Sequence, residues 1–218
     1  MTGMELRDLF LSSEFKQGLE EMSSYLASVM QEAPIVHLLA KYLWQQKHIY
    51  ALERNKHHDL TVWPSLPSKE KETTIEFKFN YETCAEKLGK ELAKLTGNLD
   101  PIVIEAKFST WDVVRGICKD VFTKKPDIFV WIVCSRDISK LTADDLTRIP
   151  YSKPLKKYQR LHPYGTGREF LVTTIDGFLQ RLRKVPKVKP FSISEAEIET
   201  EGFFPSTYHF RICDFRRP

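Results

Sequence analysis

At 218 residues the chain is long enough for one substantial domain, and its hydrophobic fraction of 42% predicts a packed core with little disorder. The longest apolar run, "IFVWIVC" (Ile128–Cys134), is too short to span a bilayer, and the acidic opening "MTGMELRDLFLSSEF" lacks the basic and apolar regions of a signal peptide. The net charge of +4 is uneven: residues 151–190 carry ten lysines and arginines against Glu169 and Asp176, a net of +8 that leaves −4 for the remainder.

That asymmetry suggests a polyanionic partner, set against the plainer reading of a solvated basic face. Cys84, Cys118, Cys134 and Cys213 are widely spaced, with no C-x-x-C pair to suggest zinc or thiol redox chemistry. These features fit a protein of the reduced cytoplasm.

In chain order, Glu14–Met30 places Phe15, Leu19, Met22 and Leu26 at helical spacing. A second helix opens at Pro34, a residue tolerated at the first helical position, and runs to about Gln46 with Ile35, Leu38, Leu39 and Leu43 inward. The period then changes. "HIYALER" (His48–Arg54) and "HDLTVW" (His58–Trp63) read as short strands, and a proline-rich charged loop leads to a third, "TTIEFKFNY" (Thr73–Tyr81). A helix is predicted over Tyr81–Gly97, a strand over Pro101–Phe108 and a helix over Thr110–Lys125. "PDIFVWIVCS" follows as a central strand buried on both faces. Further on, "LTADDLTRI" reads as a short helix capped by Thr142, "EFLVTTI" (Glu169–Ile175) as a strand, "DGFLQRLRKV" as a short helix and "TYHFRICDF" as a closing strand. The expected class is α/β: a mixed central sheet flanked by helices, in a single domain over 1–218.

The strand "TTIEFKFNY" carries a carboxylate and an ammonium on one face, Glu76 and Lys78, while Ile75, Phe77 and Phe79 share the other. An exposed pair of this kind contributes at most about 1 kcal/mol and needs no function. The same E-x-K tripeptide recurs at Glu105 and Lys107 on the strand Pro101–Phe108, and at Glu14 and Lys16 on a helix, where the two side chains do not face each other. Asp59 gives the strand copy at Glu76 its interest. It starts the strand before, so a hairpin would bring it near Glu76 and unite two hard oxygen donors of the kind Mg²⁺ prefers. Lys78 could then stabilise charge on a phosphate or orient an attacking water.

With Asp59 of "HHDLTVW" and Glu76 and Lys78 of "TTIEFKF" in the order helix, three strands, helix, apolar strand, the chain resembles the PD-(D/E)XK nuclease superfamily, the fold of many restriction endonucleases. The resemblance covers about residues 32–136 and implies a restriction-endonuclease-like core there, and it leaves the basic C-terminal extension over about 150–218 unaccounted for. It implies Mg²⁺ held by Asp59 and Glu76, Lys78 assisting the water that attacks the phosphodiester, and an assisting acid from the preceding helix. Glu32 is the candidate for that acid, although a helix opening at Pro34 would leave it just outside. Asp59 follows His58 rather than the proline of the superfamily's name. Glu105 and Lys107 are the alternative catalytic pair; Glu76 and Lys78 are preferred because short connections are the commoner case. His57 and His58 have no further ligand at zinc spacing, "GTGRE" reads as a turn, and no G-x-S-x-G or Cys/His arrangement suggests a covalent nucleophile.

The segment "YSKPLKKYQRLHPYGTGR" interleaves tyrosines with cations, and Lys153, Lys156, Lys157, Tyr158, Arg160 and Arg168 are the candidates for phosphate and base contacts. The expected function is a Mg²⁺-dependent endonuclease acting on double-stranded DNA, of the type II restriction kind, with no membrane association. Cutting both strands of a palindrome would favour a homodimer, though no segment identifies an interface. The alternative is a non-catalytic nucleic-acid-binding or interaction protein with the same fold.

Overall fold

The computed structural model describes residues 1–25, 32–46, 48–54, 58–63, 72–81, 88, 113–136, 166–185, 188–201 and 205–216. Helices α1 (Gly3–Phe10), α2 (Ser13–Tyr25) and α3 (Glu32–Gln45) precede strands β1 (Ile49–Arg54), β2 (His58–Trp63) and β3 (Thr73–Tyr81). Helix α4 (Val113–Lys119) runs on into a π-helical turn (Asp120–Lys124), which leads to β4 (Ile128–Arg136); α5 (Thr166–Arg183), β5 (Ser192–Thr200) and β6 (Ser206–Asp214) follow.

The six strands form one mixed sheet in the order β1-β2-β3-β4-β6-β5. Strands β1, β2 and β3 run as an antiparallel meander, and β4 lies parallel to β3 with Glu76 beside Phe129 and Lys78 beside Trp131. A parallel pair cannot be joined by a tight turn, and α4 lies in the long crossover between β3 and β4. Strands β5 and β6 add antiparallel on the far side of β4, so the end of the chain completes the sheet.

The two-residue period of the strands divides the core in two. Ile75, Phe77 and Phe79 of β3 and Ile128, Val130 and Ile132 of β4 face α1, α2 and α3, while Phe129, Trp131 and Val133 face α4 and α5. Both faces of β4 are therefore covered, and Ile128–Cys134 is buried throughout, as its unbroken apolar run predicts. On the first face Phe10 stacks on Phe210 with ring centroids 4.4 Å apart. On the second, Trp131 meets Phe178 edge-on and its indole N–H donates to Asn80.

The structure differs from the expectation at four places. The segment Glu169–Ile175 is helical, and "GTGRE" is the start of α5 from Thr166 onward. The β-branched run "VTTI" suggested a strand, but Ile175, Phe178, Leu179 and Leu182 recur at helical spacing and all lie in the core, so burial outweighs local preference. Helix α3 begins at Glu32, two residues before Pro34, and so includes that acid. Helix α1 was not anticipated although Thr2 and Glu5 form a capping box. Strand β5 was also missed, although Ala196, Ile198 and Thr200 point inward and Glu195, Glu197 and Glu199 outward. The expected helix Tyr81–Gly97, apart from a helical Leu88, and the strand Pro101–Phe108 lie outside the described residues, as does the "LTADDLTRI" helix. No described helix is long and apolar enough to cross a membrane.

Phe210 is fully buried between Phe10 and Phe15. Phe210→Ala should lower the free energy of unfolding by about 3–5 kcal/mol, read from urea denaturation, with a cost under 1 kcal/mol showing that the helical layer does not rest on this ring.

Candidate active site

The ladder between β2 and β3 runs only from Val62 beside Thr73 to Leu60 beside Ile75. Beyond it, two backbone N–H groups of β3 donate to side-chain carboxylates. Phe77 N–H donates to Asp59 Oδ2 at 2.7 Å, and Phe79 N–H donates to Glu32 Oε2 at 2.7 Å. A buried N–H without a partner costs roughly as much as a lost hydrogen bond, so these contacts fix both carboxylates firmly. They flank Lys78. One comes from β2, one from the first turn of α3, and neither depends on a flexible loop.

Glu76 and Lys78 point from the face of β3 opposite Ile75, Phe77 and Phe79, under α4. Helix α4 passes close to the lysine stem, since a Cβ placed on Gly116 would stand 3.6 Å from Lys78 Cε. The π-helical turn then carries Asp120 and Lys124 to the pair, and it ends at Lys125 in the left-handed conformation, φ 50°. Single π-turns of this sort often occur at functional sites. Lys124 Nζ is ion-paired with Glu76 Oε1. Lys78 Nζ lies 3.7 Å from Asp120 Oδ2, and Lys124 Nζ lies 4.0 Å from Asp120 Oδ1. Glu76 and Lys78 thus take separate partners from the π-turn and do not form the surface pair that their spacing suggests.

Four carboxylates, Glu32, Asp59, Glu76 and Asp120, share this region with two ammonium groups and with buried His58. Burial pushes all four carboxyl groups above their ordinary values. For Glu76 it does so most, to about 7, opposed by the hydrogen bond from Lys124 and reinforced by the charge of Asp59. Burial works against the Lys124 ammonium, but Glu76, Asp120 and Asp59 outweigh it and hold that group above its usual value. By count, the four carboxyl groups outnumber the two ammonium groups, and burial favours their protonated forms.

The donors suit Mg²⁺ in kind: hard carboxylate oxygens, two of them lining a cavity of about 130 Å³. Glu32 and Asp59 form part of that cavity with Ala33, Val36, His37 and Leu52. Glu76 is only 2% exposed, and its Oε2 accepts no hydrogen bond; His58 Nδ1 stands 3.6 Å away. As the side chains stand, no three acidic, histidine or cysteine groups among the described residues are gathered closely enough to hold a metal ion. The contacts above give the reason, since Lys124 holds Glu76 while backbone N–H groups hold Asp59 and Glu32.

Of the residues expected at the site, Asp59, Glu76, Lys78 and Glu32 come together. Glu105, Lys107, Lys153, Lys156, Lys157, Tyr158 and Arg160 lie outside the described residues, and of Arg168 only the backbone, within α5, is described. From the wider basic segment, Arg183 has a structural role, donating two hydrogen bonds to Phe191 O and lying 5.4 Å from that ring. Asp120 and Lys124 were missed. In sequence they are an acid and a lysine four apart on a helix, a spacing that usually marks a solvated face. Burial pushes the thiols of Cys118 and Cys213 up to about 12, which rules out ready thiolate chemistry at either. No family model, curated protein or solved structure matches this chain.

The Glu76 shift has a sign that can be tested. The unfolded chain releases this proton near 4.5 and the folded protein near 7, so the folded state holds more protons across that window. Stability should be greatest below the lower value and fall as pH rises toward 7. In metal-free buffer, Glu76→Gln should remove up to about 1.4 kcal/mol per pH unit of that slope. Urea midpoints collected from pH 5 to 8 would check this, and an unchanged slope in the variant would assign the dependence to other groups.

Proposed function

We propose that this chain is a Mg²⁺-dependent DNA endonuclease of the PD-(D/E)XK kind, with Asp59, Glu76 and Lys78 as its catalytic set and Glu32 as the assisting acid. The observation that carries the reading is the anchoring of Asp59 and Glu32 on the two N–H groups that flank Lys78. It gathers on one strand segment the residue types that phosphodiester hydrolysis needs. The element order supports it too. Helix α3, the meander β1-β2-β3, helix α4 and a β4 parallel to β3 follow in the order that the resemblance implies.

Asp59 and Glu76 would hold the metal, with Glu32 at the rim of the cavity. Mg²⁺ bound there would polarise the phosphate and acidify a water. The protein's own part is positional. The Phe77 and Phe79 N–H groups keep two carboxylates fixed while a substrate enters, so little reorganisation is needed. Lys78 is partly exposed, with Asp120 as its described ionic partner, and its ammonium is available to a phosphate oxygen as charge develops there. The cations of residues 151–168, and Tyr158 among them, would supply phosphate contacts along the duplex.

The rival reading, a nucleic-acid-binding protein without chemistry, draws on the ion pair between Lys124 and Glu76, which resembles a purely structural contact. Incubation with plasmid DNA in Mg²⁺ and in EDTA separates the two. Cleavage should require the metal and be abolished by Asp59→Asn. Lys78→Ala should reduce it by about a hundredfold or more with DNA binding retained. Lys107→Ala should cost little; the reverse pattern would move the site to Glu105 and Lys107. Binding without cutting would favour the rival.

Duplex affinity tests the basic segment separately. Replacing Lys156, Lys157 and Arg160 by alanine should flatten the log–log salt dependence by up to about 2.7, because three phosphates keep their counterions. An unchanged slope would remove this segment from the binding surface.

A further inference from the structure

We infer that Lys124 is an internal cation that competes with the divalent metal for Glu76, and that the metal must displace its ammonium to bind. The inference rests on the reading of the cluster as a Mg²⁺ site, and it concerns a residue that the resemblance does not include.

Three observations meet here. Lys124 is ion-paired with one oxygen of a carboxylate that is 2% exposed, while the other oxygen accepts no hydrogen bond. Among the described residues, that second oxygen faces only the His58 imidazole, with Nδ1 3.6 Å away and beyond hydrogen-bond distance, so the carboxylate is not saturated by the lysine. Next, Lys124 reaches Glu76 because the helix changes to a π-turn at Asp120–Lys124, the last turn before the left-handed Lys125. The ammonium thus sits at the end of an irregular turn, whereas Asp59 and Glu32 are anchored on a regular strand. Finally, Asp120 lies within 4.0 Å of Lys124 and 3.7 Å of Lys78, so an ammonium leaving Glu76 already has a second acid beside it.

Glu76 has a cation beside it in both states. With Lys124 on Glu76, the most buried carboxylate is neutralised without a metal. With a divalent ion on Asp59 and Glu76, Lys124 is free to pair with Asp120, and Glu76 stays neutralised.

The test measures metal binding without DNA, so it is independent of cleavage. Mn²⁺ binding by electron paramagnetic resonance should be about tenfold or more tighter in Lys124→Met, which keeps the side-chain length and removes the charge. Lys125→Met, the same change one residue on, should alter it less than about twofold, which excludes a general effect of net charge. Lys124→Arg, which keeps the cation, should bind no more tightly than wild type. In the wild-type protein itself, adding Mg²⁺ should raise acylation of the Lys124 amine by a reactive ester several-fold, read by peptide mass spectrometry. That measurement stands even if a variant fails to fold.

Equal or weaker Mn²⁺ binding in Lys124→Met, or Lys124 labelling unmoved by Mg²⁺, would overturn the inference and leave the nuclease reading intact. Tighter binding in Lys124→Met with no metal-dependent cleavage would support the inference and count against the nuclease. Failure of both wild type and Lys124→Met to bind Mn²⁺ would overturn both.

Discussion

Among the described residues, β3 beyond Ile75 keeps a strand partner on one side only, and its N–H groups at Phe77 and Phe79 find acceptors elsewhere. The acceptors are carboxylates. This substitution of side-chain oxygen for strand carbonyl turns the end of a hairpin into a place where acids collect. Asp59 and Glu32 are each 2.7 Å from their donors, so the meander and α3 are joined through charged hydrogen bonds of the stronger kind. Loss of either acid would leave a backbone donor of β3 without its acceptor, and this couples the local fold to the chemistry of the site.

The face of β3 that carries Glu76 and Lys78 answers a different demand. Glu76 and Lys78 must lie beneath α4, because α4 covers the face that Phe129 and Trp131 share with them. Burying charge there is costly, and apolar side chains of similar volume often serve stability as well or better. Four acids pushed upward in pKa are a sign of that cost. Perturbed carboxyl groups of this kind, clustered beside a cavity, occur more often at functional sites than elsewhere, which supports a binding role for the cluster.

Much of this was legible before any coordinates. The three strands of the meander, the central strand at Ile128–Cys134 and the pairing that sets Asp59 near Glu76 follow from period-two patterns and a short connection. What escaped has identifiable causes. The helix over Glu169–Ile175 was hidden by β-branched residues whose placement is decided by packing. Strand β5 has plain alternation, but only Ala196 and Ile198 of its inward residues are apolar, a short signal beside three outward glutamates. Asp120 and Lys124 could not be read at all. Their part depends on a π-turn, and one extra residue in a helical turn leaves no mark in composition or spacing.

The E-x-K spacing also misleads in a specific way. Two residues apart on a strand means the same face, and the same face suggests a mutual ion pair. Here the crossover helix intervenes. Lys124 takes Glu76 and Asp120 takes Lys78, so each half of the motif is held by a partner of opposite charge from the π-turn that follows α4. The consequence is that the carboxylate and the lysine are not tied to each other directly, although Asp120 lies within reach of both ammonium groups. Under the proposed metal exchange, Glu76 would change its partner without breaking a contact to Lys78. A direct pair between Glu76 and Lys78 would not permit that, because any cation arriving at the acid would release the lysine as well.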